Sequence, residues 1–543
     1  MKTIKSLFFF SKAKLFLLLI VKSLRAALEA GFALIYYYFF DFLGKRGRKE
    51  FVFFGLFVLL YTIVFSIFFA LNRYRTKSYR TQRTYLYRKT IFSRILSLDY
   101  QDLESMTADE YIAIFEKDIN SISDDLFQQT FDVISYFLSL CFSLIIAFVL
   151  NYLIALITFS LALIEIVIPL RFNKRLEREY HEVSQSHWAF SKVAGNFLAS
   201  ADVIQNTASR KNVEKVADRK NQAVSFEERK YYATCTKANL LNNFITNFLQ
   251  ISVLFVSGIL FYYGKSDIPT TAAFLQIGTG IYVPVSQIFS SMTFILGTKK
   301  VVKRIEAIQP KPKKETKEEY LYSFHSFRLK NLCLRFSGKT LLRDFSYTFR
   351  QGKKYILTGQ SGCGKTTLLE TLIGHNSLYE GSIFYDSKEG REVSEESKNT
   401  SIAYCKQEPV LFLGSLKNNI TRFADKIDKE RLDSVISQCQ LNDFAKRRGR
   451  DSLLDNQDNR ISLGEKQRIS LARALYQNKP VLFLDKITSS LDTENKEKIY
   501  QTIKGIENRL VIWITHDERA KSFEWVDEVI DLSRMNNHLE KGQ

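Results

Sequence analysis

The sequence predicts a multi-domain membrane protein: an all-α transmembrane domain of about six helices with cytoplasmic helical extensions, followed by an α/β domain. Long apolar runs fill the chain up to about residue 300, whereas later apolar stretches have only the length of single strands and helices. Between them lies QPKPKKETKEE, a charged stretch with two prolines, which is the composition of a linker. We therefore expect a transmembrane domain over 1–308, a linker over 309–320 and a second domain over 321–543.

The expected spans are apolar runs of roughly 20 residues, the length that crosses a bilayer as a helix. The connections after the second and fourth runs, 72–130 and 173–243, are long, polar and free of proline. They predict helices that continue far into the cytoplasm, and an even number of spans places both ends of the chain on that side. The runs are 15–43, 51–71, 131–150, 152–172, 244–263 and 272–296.

The net charge of +20 invites comparison with nucleic-acid-binding proteins, which use basic surfaces to bind phosphate backbones. Eight basic residues and no acidic one lie between Arg73 and Arg94, directly after the second apolar run. This is the charge asymmetry of a helix that enters the cytoplasm, so we expect membrane lipid and no nucleic acid as a partner. The six cysteines are scattered without metal-site spacing, which disfavours a disulfide framework or a zinc site.

The stretch KKYILTGQSGCGKTTLLETL contains a phosphate-binding pattern, G-x-x-x-x-G-K-[ST], between a predicted strand and a predicted helix. Glycines let backbone amides close around phosphates, Lys365 reaches the terminal ones, and the Thr366 hydroxyl binds Mg²⁺. Asp485, at the end of the apolar run 481–484, is the expected partner on that ion. The second domain is therefore predicted to be an α/β P-loop nucleotide-binding domain. Its phosphate site comprises Gly359, Gln360, Ser361, Gly362, Cys363, Gly364, Lys365, Thr366 and Thr367.

Four further motifs follow the phosphate loop: YCKQEPVLFLGSLKNNI, ISLGEKQRISLARAL, LFLDKITSSLD and WITHD. In this order they are similar to the Q-loop, signature, Walker B with D-loop, and switch histidine of ATP-binding cassette (ABC) proteins. With the preceding spans, nearly the whole chain resembles a half-transporter of the bacterial ABC exporter type. The resemblance implies a multi-pass cell-membrane protein with a cytoplasmic nucleotide-binding domain and with ATP and Mg²⁺ as cofactors. It also implies a second half-transporter that completes an ATP sandwich, and a transported solute.

The resemblance assigns roles to three residues outside the phosphate loop. Gln407 would meet Mg²⁺ and the attacking water, and His516 would contact the terminal phosphate. Phe336 would stack on adenine. The alternatives are a solvated loop glutamine, a polar residue at a strand end and a core phenylalanine.

The signature motif is the part of this chain that would serve the partner's ATP. Ser462 and Gly464 begin a predicted helix, where a hydroxyl and free backbone amides can grip a terminal phosphate. Leu463 and Glu465 depart from LSGGQ, the family's most frequent signature. The family tolerates both changes, so we expect Ser462, Gly464 and Glu465 to form a usable nucleotide contact.

Lys486 occupies the position at which the family normally has a glutamate that orients and polarises the attacking water. A protonated lysine has three donors and no acceptor, so it cannot take that role. Loss of a general base typically costs a factor of about 10² to 10⁴ in rate. We therefore predict that the chain's own site binds ATP and hydrolyses it poorly, with Lys486 as a degenerate catalytic position beside Gln407 and His516.

The resemblance suggests an explanation, because many exporters are heterodimers in which one slow site lacks the glutamate. We hypothesise that this chain is the non-catalytic half of such an exporter, with a peptide or drug-like solute; a homodimer is the other pairing. Two alternatives are a membrane subunit that binds ATP without hydrolysis and regulates other proteins, and an importer of a metal chelate. A soluble cassette protein acting on nucleic acid would explain the charge but not the spans.

Two features of the membrane domain bear on transport. By resemblance, short coupling helices are expected in 107–118 and 197–208, at the turns of the cytoplasmic extensions. Charged residues also fall inside predicted spans, where charges usually face a cavity or pair with each other. Both interpretations are open from the sequence alone. These residues are Lys22, Arg25 and Glu29 in the first span and Glu165 in the fourth.

Overall fold

The computed structural model describes residues 12–45, 48–206, 209–309, 324–336, 339–376, 378–387 and 401–533. The chain forms two compact units, one of Met1–Leu98 with Met106–Pro310 and the other of Asp99–Ser105 with Lys311–Gln543. The change from the first unit to the second falls within the predicted linker, 309–320, most of which lies outside the described residues.

The first unit is built from helices joined by short turns. One helix that lies between them in the sequence, α3 (Tyr100–Glu104), belongs to the second unit instead. The others are α1 (Lys12–Lys45), α2 (Arg48–Leu96), α4 (Ala108–Ala113), α5 (Ile119–Ser121), α6 (Gln129–Leu150), α7 (Tyr152–Ala162), α8 (Val167–Ala199), α9 (Ala201–Asn206), α10 (Arg210–Tyr262), α11 (Ile268–Gly297) and α12 (Lys299–Ala307). Turns of π-helix over Ile114–Asp118 and Ile122–Gln128 and of 3₁₀-helix over Leu163–Ile166 continue this helical path.

Four helical stretches among the described residues are long and apolar enough to cross a membrane: Lys49–Leu96, Ala108–Leu150, Arg210–Tyr262 and Ile268–Ala307. They contain the predicted spans 51–71, 131–150 and 272–296, and all of the span 244–263 except its last residue. The predicted span 15–43 lies within α1. The predicted span 152–172 crosses α7, the 3₁₀ turn and the first residues of α8. The predicted all-α membrane domain is therefore confirmed, with the fourth span broken by a change of helix type.

Polar caps fix two of the short connections between spans. The Asn151 side chain accepts hydrogen bonds from the backbone amides of Leu153 and Ile154, at 3.1 and 3.2 Å, and so caps α7. At the start of α11, Asp267 accepts from the Thr270 amide at 2.8 Å, and a proline follows in the first turn. Such residues satisfy amides that a helix leaves unpaired, which explains why the chain reverses here.

The cytoplasmic extensions have a core of their own within the first unit. Tyr87 and Ile91 of α2 are buried there with Ile114, Val302 and Ile305. The predicted first coupling segment, 107–118, therefore lies in this unit, whereas the segment that groups with the second unit, Asp99–Ser105, comes just before it. The predicted second coupling segment, 197–208, contains α9, and its last two residues lie outside the described residues.

The second unit contains two sheets. Strands β1 (Phe324–Phe336), β2 (Lys339–Arg350) and β4 (Tyr379–Ser387) form an antiparallel sheet in the order β2-β1-β4. The second sheet is parallel. Its strands are β3 (Lys354–Thr358), β5 (Ile402–Cys405), β6 (Val481–Asp485), β7 (Leu510–Ile514) and β8 (Glu528–Asp531). Their order is β5-β6-β7-β3-β8, so β7 lies between β6 and β3.

Helices surround the parallel sheet, which confirms the predicted α/β domain. Strands β6 and β7 are buried along their whole length, as expected for a parallel sheet that is covered on both faces. Ligands of such sheets bind at the carboxyl ends of the strands, so this edge positions the site. The helices are α13 (Lys365–Ile373), α14 (Leu416–Thr421), α15 (Lys429–Gln438), α16 (Asn442–Arg448), α17 (Leu463–Tyr476) and α18 (Thr493–Lys504).

Candidate functional site

The phosphate loop follows the buried strand β3 and leads directly into α13. Gly359, Gly362 and Gly364 have φ values of +135°, +83° and +99°, in the region that favours glycine. A Cβ atom on Gly359 would lie 2.8 Å from both the Cys363 Sγ and the Ser533 Oγ. The loop can therefore close at this point only without a side chain. A glycine loop of this form at a helix N-terminus is suited to bind phosphate through backbone amides.

Lys365 begins α13 and is buried, with 6% of its surface exposed. Its Nζ donates to the carbonyl oxygens of Gly359 and Gln360, both at 2.8 Å, and lies 3.7 Å from the Cys363 Sγ. The ammonium group thus lies against the loop itself. It can exchange these neutral acceptors for phosphate oxygens, which are charged and form stronger hydrogen bonds. The loop residues therefore fit the phosphates of a nucleotide.

Thr366 and Asp485 meet next to this lysine. The Thr366 hydroxyl donates to the Asp485 Oδ2 at 2.9 Å, and Asp485 is fully buried at the end of β6. Burial raises the pKa of Asp485, while the hydrogen bond from Thr366 and the positive charge of Lys486 oppose the rise. A carboxylate and a hydroxyl are the oxygen ligands that Mg²⁺ prefers, so the pair fits the metal of a nucleotide complex.

Lys486 follows Asp485 in a left-handed backbone conformation, with φ +49°. Its amide donates to the Ile514 carbonyl at 2.9 Å, and its carbonyl accepts from the Ser489 hydroxyl at 2.9 Å. The backbone at this position is therefore held from both sides, in a region that non-glycine residues rarely adopt. The Lys486 side chain is half-buried and makes no hydrogen bond or ion pair with the described part of the chain.

His516 lies just beyond β7, beside the strand that carries Asp485, whose register partner is Ile514. Partial burial lowers the pKa of His516, and the positive charges of Lys365, Lys486 and Lys521 lower it further, against the opposing effect of Asp485. These effects favour the neutral form of the imidazole. A neutral ring can donate from one nitrogen and accept at the other.

The remaining residues predicted for this site lie in the phosphate loop, in α13 and after β5. The Gln360 backbone amide donates to the Ser533 hydroxyl at 2.7 Å, and the Ser361 side chain is exposed. Thr367 is half-buried in the first turn of α13. Gln407 is exposed just after β5 at the same edge of the parallel sheet. The Phe336 side chain lies outside the described residues.

The signature forms the N-terminus of α17. The Ser462 hydroxyl accepts from the Glu465 amide at 3.2 Å, and the Glu465 carboxylate accepts from the Ser462 amide at 2.9 Å. This is a capping box, and Arg447 forms an ion pair with the same carboxylate. Burial alone would raise the pKa of Glu465, but these contacts with Ser462 and Arg447 hold it below its usual value. Glu465 is therefore a structural anion that fixes the helix start.

Gly464 is packed against the D-loop. A Cβ atom at this position would lie 2.8 Å from the Ser490 carbonyl oxygen and 3.0 Å from the Leu491 side chain. The glycine is required by this close approach, since the nearest atom belongs to backbone and cannot move aside cheaply. Gln467 extends the contact by donating to the Ser489 hydroxyl at 3.3 Å. The signature and the segment after Lys486 are thus in direct contact within one chain.

One group of contacts in the second unit has no counterpart in the sequence analysis. The Tyr100 ring of α3 stacks on the His375 ring, with 3.8 Å between centroids and 11° between planes. The Lys406 Nζ donates to the Tyr100 hydroxyl at 3.3 Å, and Lys406 precedes Gln407. Burial and the Lys406 charge lower the pKa of His375 to about 4. A single aromatic residue in a long polar connection carries no local signal for such a contact.

The charged residues of the predicted spans form contacts within the first unit. Each is bonded to a polar side chain, and three of the four contacts join residues far apart in the sequence. Polar partners inside a membrane reduce the cost of burying these groups. The contacts are Lys22 to Ser135 (2.7 Å), Arg25 to Glu29 (2.5 Å), Ser139 to Glu29 (3.0 Å) and Thr246 to Glu165 (2.7 Å).

Comparison with known proteins agrees with this geometry. The family model described as "ABC transporter" matches residues 342–489, and the model described as "ABC transporter transmembrane region" matches residues 15–284. The "probable iron export ATP-binding protein FetA" of Escherichia coli (strain K12) is 33% identical over 208 residues, which are 38% of this chain and 90% of that protein. This chain belongs to the ABC transporter family.

Two further comparisons extend beyond the length of the nucleotide-binding domain. An "ATP-dependent lipid A-core flippase" of Syntrophus aciditrophicus (strain SB) is 26% identical over 326 residues, 58% of this chain, and the match spans about half of that protein, 54%. A solved "bacterial Atm1-family ABC exporter with ATP bound" shares the fold, with a TM-score of 0.83, 18% identity, and coverage of 96% of this chain and 94% of that one. The predicted half-transporter, a multi-pass membrane protein with a cytoplasmic nucleotide-binding domain, is confirmed.

Proposed function

We propose that this ABC transporter chain is the non-catalytic half of a heterodimeric exporter. Its own phosphate loop would bind ATP and hold it, while its signature would complete a hydrolytic site on a second half-transporter that carries the missing glutamate. The observation that carries this proposal is Lys486, the residue that follows Asp485 at the end of β6.

Lys486 cannot activate water in the way a carboxylate does, because a protonated ammonium group has no acceptor. The missing base lowers the hydrolysis rate by a factor of about 10² to 10⁴. The chain's own site is therefore expected to be slow even when nucleotide is bound.

The same residues support binding without turnover. ATP with Mg²⁺ would supply the phosphoryl group and the metal charge, with Lys365 beside the terminal phosphates and Thr366 and Asp485 on the metal. The half-buried Lys486 carries a further positive charge that no ion pair in the described residues neutralises. A cation near the terminal phosphate stabilises the bound triphosphate. The site would thus hold the two nucleotide-binding domains together.

The intact signature supports a productive role for the chain. Ser462, Gly464 and Glu465 form an ordered helix N-terminus. Its backbone amides that are not used in the capping box, such as that of Gly464, can contact the terminal phosphate of an ATP bound to the partner. A subunit that only sensed ATP would not need this surface. Export of a peptide or drug-like solute is proposed from the exporter-type fold.

The test is purification of the tagged chain from its native membrane in mild detergent, with identification of co-purifying chains and an assay of ATP hydrolysis. The wild type is compared with Lys486→Glu, and with Lys486→Gln as a control that removes the charge without adding a base. We expect a second half-transporter with the glutamate, and an active complex whose rate changes little in Lys486→Gln.

A chain that purifies alone and inactive, and gains turnover from Lys486→Glu, would contradict the heterodimer. That result would favour the alternative of a membrane subunit that binds ATP without hydrolysis. An active wild-type homodimer would contradict the assignment of Lys486 as a non-catalytic residue.

A further inference from the structure

A cavity with cationic walls lies in the first unit, among α1, α2 and α6. Its volume is about 380 Å³, and most of its lining comes from the part of α2 that directly follows the predicted span 51–71. This position corresponds to the cytoplasmic boundary of the membrane. The lining residues are Lys22, Phe69, Asn72, Arg73, Thr76, Lys77, Arg80, Gln128 and Asp132.

The charges of this cavity do not cancel. Four Lys or Arg side chains face a single carboxylate, Asp132, whose two oxygens each accept from the Gln128 amide at 3.0 Å. Arg80 is paired with Asp124 at 2.7 Å. Arg73 and Lys77 are exposed and make no hydrogen bond or ion pair with any residue the structure describes. The cavity therefore keeps a net positive charge after every internal pair is counted.

Two buried polar groups in the cavity wall also lack hydrogen-bond partners among the described residues. Thr76 is 5% exposed, and its hydroxyl has no hydrogen bond to the described residues; the same holds for the buried Asn72 Oδ1. Lys22 is 2% exposed, and its ammonium donates to the Ser135 hydroxyl at 2.7 Å. Buried polar groups are normally satisfied, and a buried ammonium normally has an anionic partner. The Thr76 hydroxyl and the Lys22 ammonium can donate, so these two groups indicate a polar, anionic ligand, whereas the Asn72 Oδ1 is an acceptor and does not bear on the ligand's charge.

We propose that this cavity binds a phosphate-bearing anion at the cytoplasmic boundary of the membrane. Lys22, Arg73 and Lys77 would contact the phosphate oxygens, and the Thr76 hydroxyl would donate to one of them. The exposed Phe69 side chain lies on the membrane side of these charges, where it can contact an apolar part of the same molecule. The source of the phosphate is either the headgroup of an anionic lipid or a phosphorylated solute.

Ordinary attraction between basic residues and anionic lipids is the competing explanation, because such residues are common beside membrane helices. Such attraction would depend only on the number of charges and not on the side of the helix on which they lie. Arg75 and Lys89 provide a matched control: both are exposed residues of α2, and neither lines the cavity. A double change there removes the same charge from the same helix.

The experiment measures binding of phosphatidylglycerol to the full chain, purified without nucleotide in neutral detergent, by native mass spectrometry. Phosphatidylcholine serves as the zwitterionic reference lipid. We expect the first bound phosphatidylglycerol to have a roughly tenfold weaker Kd in Arg73→Gln/Lys77→Gln. The control Arg75→Gln/Lys89→Gln should stay within about twofold of the wild type. Equal losses in the two double variants would overturn the proposal.

A second variant guards against misfolding. Lys22→Met replaces the buried ammonium by an apolar chain of similar length, so the melting temperature should not fall, while phosphatidylglycerol binding should weaken. Unchanged binding in this variant as well as in Arg73→Gln/Lys77→Gln would contradict the site. Competition by sn-glycerol 3-phosphate would assign it to phosphorylated solutes, and its absence to lipid headgroups. Because no ATP is present, the result is independent of the function proposed for Lys486.

Discussion

The phosphate-loop site and the signature are the two parts of this chain proposed to contact ATP, and they differ in whether all the expected residues are present. At the carboxyl edge of the parallel sheet, the phosphate loop and the Thr366–Asp485 pair are arranged to hold a nucleotide with its metal, but Lys486 stands where water would be activated. At the N-terminus of α17, Ser462 and Glu465 form a complete capping box, and Gly464 packs against the D-loop without room for a side chain.

In the proposed function, the difference between the two parts is confined to one residue. In the function proposed above, Lys486 is the residue that leaves this chain without a base for hydrolysis, whereas the Thr366–Asp485 pair and the start of α17 keep the ordered geometry that nucleotide binding and contact with a partner would need. A site that binds and a signature that assists are what one half of an asymmetric pair requires. An experiment in which the phosphate-loop site and the signature behave alike would contradict this difference.

The largest expected effect is chemical blockage of the chain's own site. We predict that a maleimide on Cys363 abolishes nucleotide binding and that ATP protects this cysteine, because its Sγ lies within the loop, 3.7 Å from the Lys365 Nζ. Peptide mapping after labelling with and without ATP measures the protection. Cys405 and Cys439 are fully buried and serve as unreactive internal references. Equal labelling of Cys363 in both conditions would contradict the assignment of the loop.

A smaller effect is expected from the signature, and it should fall on the other site. Gly464→Ala places a Cβ 2.8 Å from the Ser490 carbonyl oxygen, which must shift the helix N-terminus. We expect ATP hydrolysis by the assembled transporter to fall at least about tenfold, while ATP binding to this chain's own phosphate loop is unchanged.

Gly505→Ala is the matched control for this change, since its nearest neighbours would be at 3.6 Å. It should leave hydrolysis as it is. If Gly464→Ala lost ATP binding at the chain's own phosphate loop and kept hydrolysis intact, the signature would serve this chain's own site, which would contradict the proposal.

The smallest effect is electrostatic. The pKa of His516 is lowered by partial burial and by Lys365, Lys486 and Lys521, so the ring gains its proton at a lower pH than an ordinary histidine. Lys486→Glu replaces one of these cations by an anion. The pKa of His516 should therefore rise, and the ring should gain its proton at a higher pH than in the wild type.

Histidine-selective ¹³C labelling resolves this titration, because the chain contains only six histidines. Lys521→Gln provides a reference in which a cation is removed without a new anion, and it should give a smaller rise. An unchanged or lowered pKa in Lys486→Glu would mean that the side chain at this position does not face the site.

The parts of the fold that could be predicted are those with local signals. The phosphate loop was identified because Gly359, Gly364 and Lys365 have a fixed spacing, and β6 because an apolar run ends at Asp485. Their placement at one edge follows from the parallel sheet, in which β7 lies between β3 and β6. The spans were found from apolar length alone, which also explains why the 3₁₀ turn inside the fourth was not foreseen: composition does not report helix type.

The contacts that were not predicted join residues far apart in the chain. The stack of Tyr100 on His375 and the packing of Gly464 on Ser490 depend on how whole elements come together. Neither has a periodic or motif signature. The cationic cavity is a similar case, because the sequence shows a basic stretch but not which of Arg73, Arg75 and Lys77 share a wall with Lys22.

The most direct test of the account is the identity of the nucleotide held on this chain during turnover. A radiolabelled photoreactive ATP analogue is cross-linked to the purified transporter after multiple turnovers, and the nucleotide attached to this chain is analysed. We predict intact triphosphate on the wild type and on Lys486→Gln, and conversion to diphosphate at least about 10²-fold faster on Lys486→Glu. Diphosphate on the wild type at the rate of Lys486→Glu would contradict the claim that this chain binds ATP without hydrolysing it.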